Sequence, residues 1–318
     1  NSEPKKESHQ RHPRYPQVFS KKLKLKPLHF RKKYFVQCGS NLHYNEALKL
    51  KTANHFENGA KLILAQHGGV YGVSAIHSSV ECVEYSVADK YISWGWNKLS
   101  YTNKKIIPLP SPYLSKFKYK RENDKVILVD SAKNFFLKRI NSLPQPNDCH
   151  NQRDFNYLFI KNLNNKVLDD FYFRPSLLYP DQKKYDVIDH CQFHYPDLKI
   201  VEGDLHNESM KCKILIVDGF NTTFNIALAS NIPVIAFWDP LINAIDKEAL
   251  PFFTDLKKHG IIHDNPISAA KKLNLVFDNP NIWWDNLDLQ NSRLNWVNNF
   301  SKADNKWFMK WVRFIWNL

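Results

Sequence analysis

Residues 59–96 read GAKLILAQHGGVYGVSAIHSSVECVEYSVADKYISWGW, and the fold class follows from this stretch. Leu62-Ile63-Leu64-Ala65 is a short apolar run bounded by glycines, the pattern of a buried strand running into a turn. The turn is Gln66-His67-Gly68-Gly69-Val70-Tyr71-Gly72, with three of the chain's nine glycines inside five residues. Glycine permits positive φ and lets a backbone approach a ligand closely. A strand ending in a glycine-rich loop is where open α/β sheets bind ligands. His67, at the carboxyl end of that strand, suits a phosphate donor or an acid–base group. A tight turn with a hydrogen-bonded histidine accounts for the residues equally well.

Working outward, Tyr34–Cys38 reads as a strand and 45–58 as a helix, with Gly59 as its stop. With the Leu62–Ala65 strand they form a strand–helix–strand unit, the repeat of a parallel α/β sheet. Past the loop, Glu81 and Glu84 stand three apart, on one face if the segment is helical. That suits acid–base work or a solvated edge. Tyr91–Trp94 reads as a further strand.

Pro108, Pro110 and Pro112 mark 101–124 as an interdomain linker. A second α/β series follows, with strands expected at 125–130, 171–173, 199–201, 213–217 and 233–238. Helices are expected at 154–163, 222–230 and 266–277. Asp130, Arg174 and Asp218 fall at strand ends. Gly219-Phe220-Asn221-Thr222-Thr223 opens a helix directly after a strand, which makes its N–H groups and hydroxyls an anion site. Asn221 or Thr222 also serves as an ordinary cap. Arg174 is a phosphate clamp or a surface ion-pair partner. Residues 283–318 hold six of the nine tryptophans, at spacings that give apolar stripes on helices packed against the body.

The 318 residues carry a formal charge of +14, and +9 of it lies in residues 1–33. This basic, proline-broken arm is expected to be disordered, a solvated leader or a peripheral contact with anionic membrane. A pI near 9.4 raises nucleic-acid binding as a rival. No recognition motif for it appears, so no nucleic acid is expected. Five scattered cysteines without a CxxC pair point to reduced, cytoplasmic usage, and no metal-ligand spacing is seen. No apolar run reaches membrane-spanning length.

Four runs together resemble a bacterial family of surface-polysaccharide transferases with GT-B architecture. They are AQHGGVYG, residues 65–72; the E-x-x-E…ADKYISWGW segment; NTTFNIALASNIPVIAFWDP, residues 221–240; and FFTDLKKHGIIHDNPISAAKKLN with NIWWDNLDLQNSRLNWV, between 252 and 297. The resemblance spans roughly Tyr34 to Trp296. A more distant similarity is to transferases of Kdo, a CMP-activated 2-keto sugar. The resemblance implies two Rossmann-like domains facing across a cleft, an acceptor domain over 34–115 and a nucleotide-sugar domain over 120–280. Residues 281–318 would then form helices that pack back on the body.

It also implies a metal-independent glycosyltransferase without a cofactor, its partners a nucleotide sugar and a glycan or glycolipid acceptor. Its location would be the cytoplasm or the inner membrane face. His67, Glu81 and Glu84 would be catalytic. Gly219, Asn221, Thr222, Thr223 and Arg174 would hold the donor phosphate, and Gln66, Gly68, Gly69, Tyr71 and Gly72 would shape the loop. Two departures stand out. The chain before the loop is shorter than in the family, so the first domain is expected to be incomplete. Ile226 stands where an acidic residue is expected, which makes a non-catalytic glycan- or partner-binding protein the alternative.

Overall fold

The computed structural model describes residues 34–75, 81–98, 106–131, 148–176, 187–201, 203–242 and 244–318. They fall into two compact units. The first takes in the described residues up to His67 and those from 81 to Ile92, with Leu318; the second takes in 68–75 and Ser93 to Asn317.

In the first unit, β1 (Tyr34–Cys38) is followed by the single turn α1 (Asn41–Tyr44), α2 (Glu46–Glu57) and β2 (Lys61–Ala65). Helix α2 starts where its cap permits: the Asn45 side chain accepts from the Leu48 N–H at 3.0 Å, satisfying one orphan donor of the first turn. Strands β1 and β2 pair in parallel with Val36 opposite Ile63. On its other side β2 pairs in parallel with β3 (Lys90–Ser93), Leu64 opposite Tyr91. Leu62, Ile63 and Leu64 are buried, as expected of a parallel strand covered on both faces. The stretch holding Glu81 and Glu84 is a single π-helical turn, Glu81–Tyr85, not the α-helix on which the two would share a face.

The second unit continues with β4 (Ile106–Pro108), β5 (Val126–Val129), α3 (Asp148–Lys161), α4 (Asn165–Asp169) and β6 (Phe171–Arg174). Next come α5 (Val187–His194), β7 (Lys199–Ile200), α6 (Leu205–Ser209), β8 (Ile214–Val217), α7 (Thr222–Ser230) and β9 (Val234–Phe237). The remainder is α8 (Leu250–Lys258), β10 (Ile262–His263), α9 (Pro266–Val276), α10 (Pro280–Trp284), α11 (Leu287–Phe300) and α12 (Trp307–Trp316).

Six strands form one sheet in the order β10-β9-β8-β5-β6-β7, and each neighbouring pair is parallel. The chain builds from β5 outward through β6 and β7, then returns to lay β8, β9 and β10 on the other side. The strand order therefore reverses between β5 and β8, and in open α/β sheets ligands bind at the carboxyl ends of strands at such a point. Strands β5, β8 and β9 are buried throughout. One face carries a core of Val126, Leu128, Phe159, Ile160, Ile216, Phe237 and Leu273. Trp296 of α11 is fully buried among Phe224, Phe253 and Phe300.

The proline-rich segment read as a linker is packed within this unit. The Ser111 N–H donates to the Lys302 carbonyl at 2.8 Å, the Trp311 indole donates to the Pro110 carbonyl at 2.8 Å, and Leu114 is 1% exposed. Not every tail helix is buried as the aromatic spacing predicts. Trp284 and Trp296 are interior, but α12 contains no buried residue.

Candidate functional site

A pocket of about 350 Å³ opens at the strand-order reversal. Val129, Asp130 and Ser131 line it from the end of β5, Arg174, Pro175 and Ser176 from the end of β6, and Asn221, Thr222 and Thr223 from the start of α7, with Leu205 closing one side. Short apolar strands bring these polar residues together because each strand ends as its charged or hydroxylated residue begins.

The rim is fixed by two acidic side chains and one amide. Asn156 of α3, fully buried, donates from Nδ2 to Asp130 Oδ1 at 3.1 Å and to Asp218 Oδ2 at 2.9 Å. Asp218 also accepts the Ser131 N–H at 2.5 Å, and Asp130 accepts that of Ser176 at 3.4 Å. Asp130 and Asp218, the aspartates at the strand ends, thus brace the loops after β5 and β6. Asn156 went unsingled in the sequence, though a signal exists: with Phe159, Ile160 and Leu163 it follows the i, i+3, i+4, i+7 stripe that is buried, and it is the polar member of that stripe.

Arg174 is 8% exposed. Its Nη2 donates to the Gly203 carbonyl at 3.0 Å, and its buried Nε has no hydrogen-bond partner among the described residues. A buried donor left unmade is costly, which favours an acceptor from outside the protein. At α7 the Asn221 side chain accepts the Phe224 N–H at 3.2 Å and donates to Ser131 Oγ at 3.0 Å. The N–H groups of Thr222 and Thr223 have no acceptor within the helix, and both residues line the pocket. Gly219 is buried in the preceding turn.

The glycine loop packs against the start of α7. Gly69 N–H donates to Thr222 Oγ1 at 3.1 Å, and Asn225 Nδ2 donates to the Gly69 carbonyl at 2.9 Å. A Cβ at Gly69 would lie 2.6 Å from Asn225 Nδ2 and 2.8 Å from the Asn221 backbone. The close approach at Gly69 is thus to α7. Gly72, at φ +77°, lies against the Trp96 ring, so the loop and the WGW segment form one packed assembly. Tyr71 is buried in it, and a Cβ at Gly68 would only reach ordinary contact with the Tyr71 ring, at 3.4 Å. Ile226, 2% exposed, sits in an apolar cluster with Trp94 and Leu114. The position expected to be acidic is therefore a core position in this chain.

The first unit holds a second polar cluster. Glu84 is fully buried. It accepts from Tyr91 Oη at 3.0 Å, pairs with His43 Nε2 at 2.7 Å and lies 3.8 Å from His67 Nδ1. Glu84 is thus an interior carboxylate beside the two histidines. His67 keeps 28% of its side chain exposed. Burial lowers its pKa from 6.5, the Glu84 carboxylate opposes that shift, and His43 adds to it. Gln66 is buried, its N–H donating to the Ile92 carbonyl at 2.9 Å. The Glu81 side chain lies outside the described residues. Among those residues no group of three or more acidic, histidine or cysteine side chains is arranged to hold a metal, and no helix is long and apolar enough to cross a membrane.

A family model described as "LIC12162 family transferase" matches residues 12–315. The chain belongs to that family. No curated protein matches it. Among solved structures, TarM superposes with a TM-score of 0.53 at 12% identity, over 94% of this chain and 57% of TarM. The S. aureus MnaA–UDP co-structure superposes with a TM-score of 0.54 at 11% identity, over 96% of this chain and 80% of MnaA. The chain thus spans little more than half the length of TarM. At these identities the likeness is one of fold: the parallel α/β architecture expected of the GT-B class.

Proposed function

We propose that this transferase moves a glycosyl group from a nucleotide-activated donor to a surface-glycan acceptor, and that the pocket between the ends of β5, β6 and the start of α7 holds the donor's phosphate. The observation that carries the reading is Arg174, a buried guanidinium lining that pocket with its Nε–H unpartnered among the described residues. Guanidinium and phosphate are matched in charge and geometry. The first turn of α7 adds N–H groups and the positive end of the helix dipole. Asp130 offers an acceptor for a ribose or sugar hydroxyl. MnaA comes from a UDP co-structure, and nucleoside diphosphates and monophosphates are the class assigned to this pocket.

Within the first unit His67, with Glu84 and His43 beside it, is the candidate base for an acceptor hydroxyl. The acceptor oxygen bonds to the anomeric carbon, the bond from that carbon to the donor phosphate breaks, and the electron pair leaves on the phosphate. Arg174 and the start of α7 then stabilise the charge that develops there.

The test is nucleotide release from labelled nucleotide sugars in the presence of glycan extracts. Release from one donor class, lost in Arg174→Ala, is the expected result. The burial of Ile226 in an apolar cluster favours a second reading, binding without turnover; nucleotide binding with no release would support it. Neither binding nor release would overturn both.

A further inference from the structure

Helix α12 has the sequence WFMKWVRFIW and no buried residue. At about 100° per residue, Trp307, Trp311 and Phe314 share one side, and all three are half-buried. The Trp311 indole ties that side to the Pro110 carbonyl. Phe308, Met309, Val312, Ile315 and Trp316 occupy an outward arc roughly 120° wide by the same geometry. Their exposures run from 46% for Val312 to 87% for Trp316. Lys310 and Arg313 fill the arc beside them. The helix is anchored by one aromatic side while a second apolar side faces outward.

We propose that α12 docks the protein on an anionic lipid surface, lying in the plane of the interface. Three observations select this occupant. The charge is complementary: residues 302–318 carry Lys302, Lys306, Lys310 and Arg313 against Asp304 as the one acidic residue. The composition fits a lipid interface, where tryptophan and phenylalanine sit at headgroup level beside lysine and arginine, whereas protein interfaces are depleted in lysine. The length also fits: ten residues reach only about half of the ~20 needed to span a bilayer, so the helix lies on the surface. This inference goes beyond the reading of the pocket and does not rest on it.

The test uses the full chain with vesicles of phosphatidylcholine alone and of phosphatidylcholine mixed with phosphatidylglycerol, followed by flotation. Wild type is expected to bind the mixed vesicles and to leave those of phosphatidylcholine alone largely unbound. The triple variant Phe308→Ser/Ile315→Ser/Trp316→Ser alters exposed side chains and is expected to melt as wild type does. Its partitioning should fall about tenfold or more, since binding scales with the apolar area inserted. Lys310→Glu/Arg313→Glu and raised salt should each weaken binding as well. Three results would overturn the proposal: no binding by wild type, equal binding by the triple variant, or a wild-type dimer that light scattering finds converted to monomer by the triple variant. The last would assign the face to a second copy of the chain.

Discussion

Asn225 Nδ2 donates to the Gly69 carbonyl at 2.9 Å, across 156 positions of sequence, while Asn225 Oδ1 accepts from the Trp296 indole at 3.0 Å. One buried amide on α7 therefore holds the glycine loop on one side and α11 on the other. The start of α7, which lines the pocket, is framed by both. Gly69→Ala would drive a methyl to within 2.8 Å of the Asn221 backbone. The expected cost is about 1–3 kcal/mol, the range for overpacking, read as a lower melting temperature together with weaker nucleotide binding.

Asn156→Leu removes the donor that Asp130 and Asp218 share and leaves each buried carboxylate with one hydrogen bond fewer. A loss of about 2–4 kcal/mol is expected from the penalty on unpaired buried polar groups. Denaturant unfolding measures it, and Asn156→Ala should fall in the same range. A loss below that of an ordinary surface substitution would remove Asn156 from the account.

Ile226→Glu tests whether an acidic side chain at this position serves a donor. Because Ile226 packs with Trp94 and Leu114, the charge would enter an apolar cluster. Destabilisation of about 2–4 kcal/mol is expected, as for an unsatisfied buried charge, with no gain in nucleotide affinity. Tighter binding in a stably folded variant would show that the position reaches the pocket.

His67 supplies a pH dependence. Its pKa is lowered from 6.5, first by burial. Between that lowered value and 6.5 the unfolded chain binds more protons than the folded one, so stability rises with pH through the window and is lost as pH falls below 6.5. A transfer step needing neutral imidazole should hold its rate somewhat below pH 6.5 and then fall. In His67→Gln the rate should be low throughout and the acid limb absent. An unchanged limb would assign it to another group.

Most strands of both units were legible because buried parallel strands are short apolar runs, as at Leu62–Ala65 and Lys213–Val217; β4, inside the proline-rich stretch read as a linker, and the two-residue β10 were not. The start of α7 was legible from Asn221-Thr222-Thr223, since capping is written locally. What the sequence could not place were relations made in three dimensions. Asn156 meets Asp130 and Asp218 only once α3 lies on the sheet. Glu84 is buried because its π-helical turn points it at His43 and Tyr91. In α12 the aromatic spacing predicted burial, but the periodicity defines faces without saying what covers each one. Local composition marks Gly69 as a residue that permits close approach, but its contact with α7, 153 residues away at Thr222, exists only in the folded chain.

The central claim is that the Arg174 pocket holds a nucleotide phosphate, and titration calorimetry with UDP, GDP, TDP, CDP and CMP tests it most directly. Wild type is expected to bind one of these with a Kd that rises tenfold or more in Arg174→Ala and in Thr222→Ala/Thr223→Ala, charge-assisted hydrogen bonds contributing about 1.5–3 kcal/mol each. Binding that both variants leave unchanged, or no binding of any of the five by folded wild type, would contradict it.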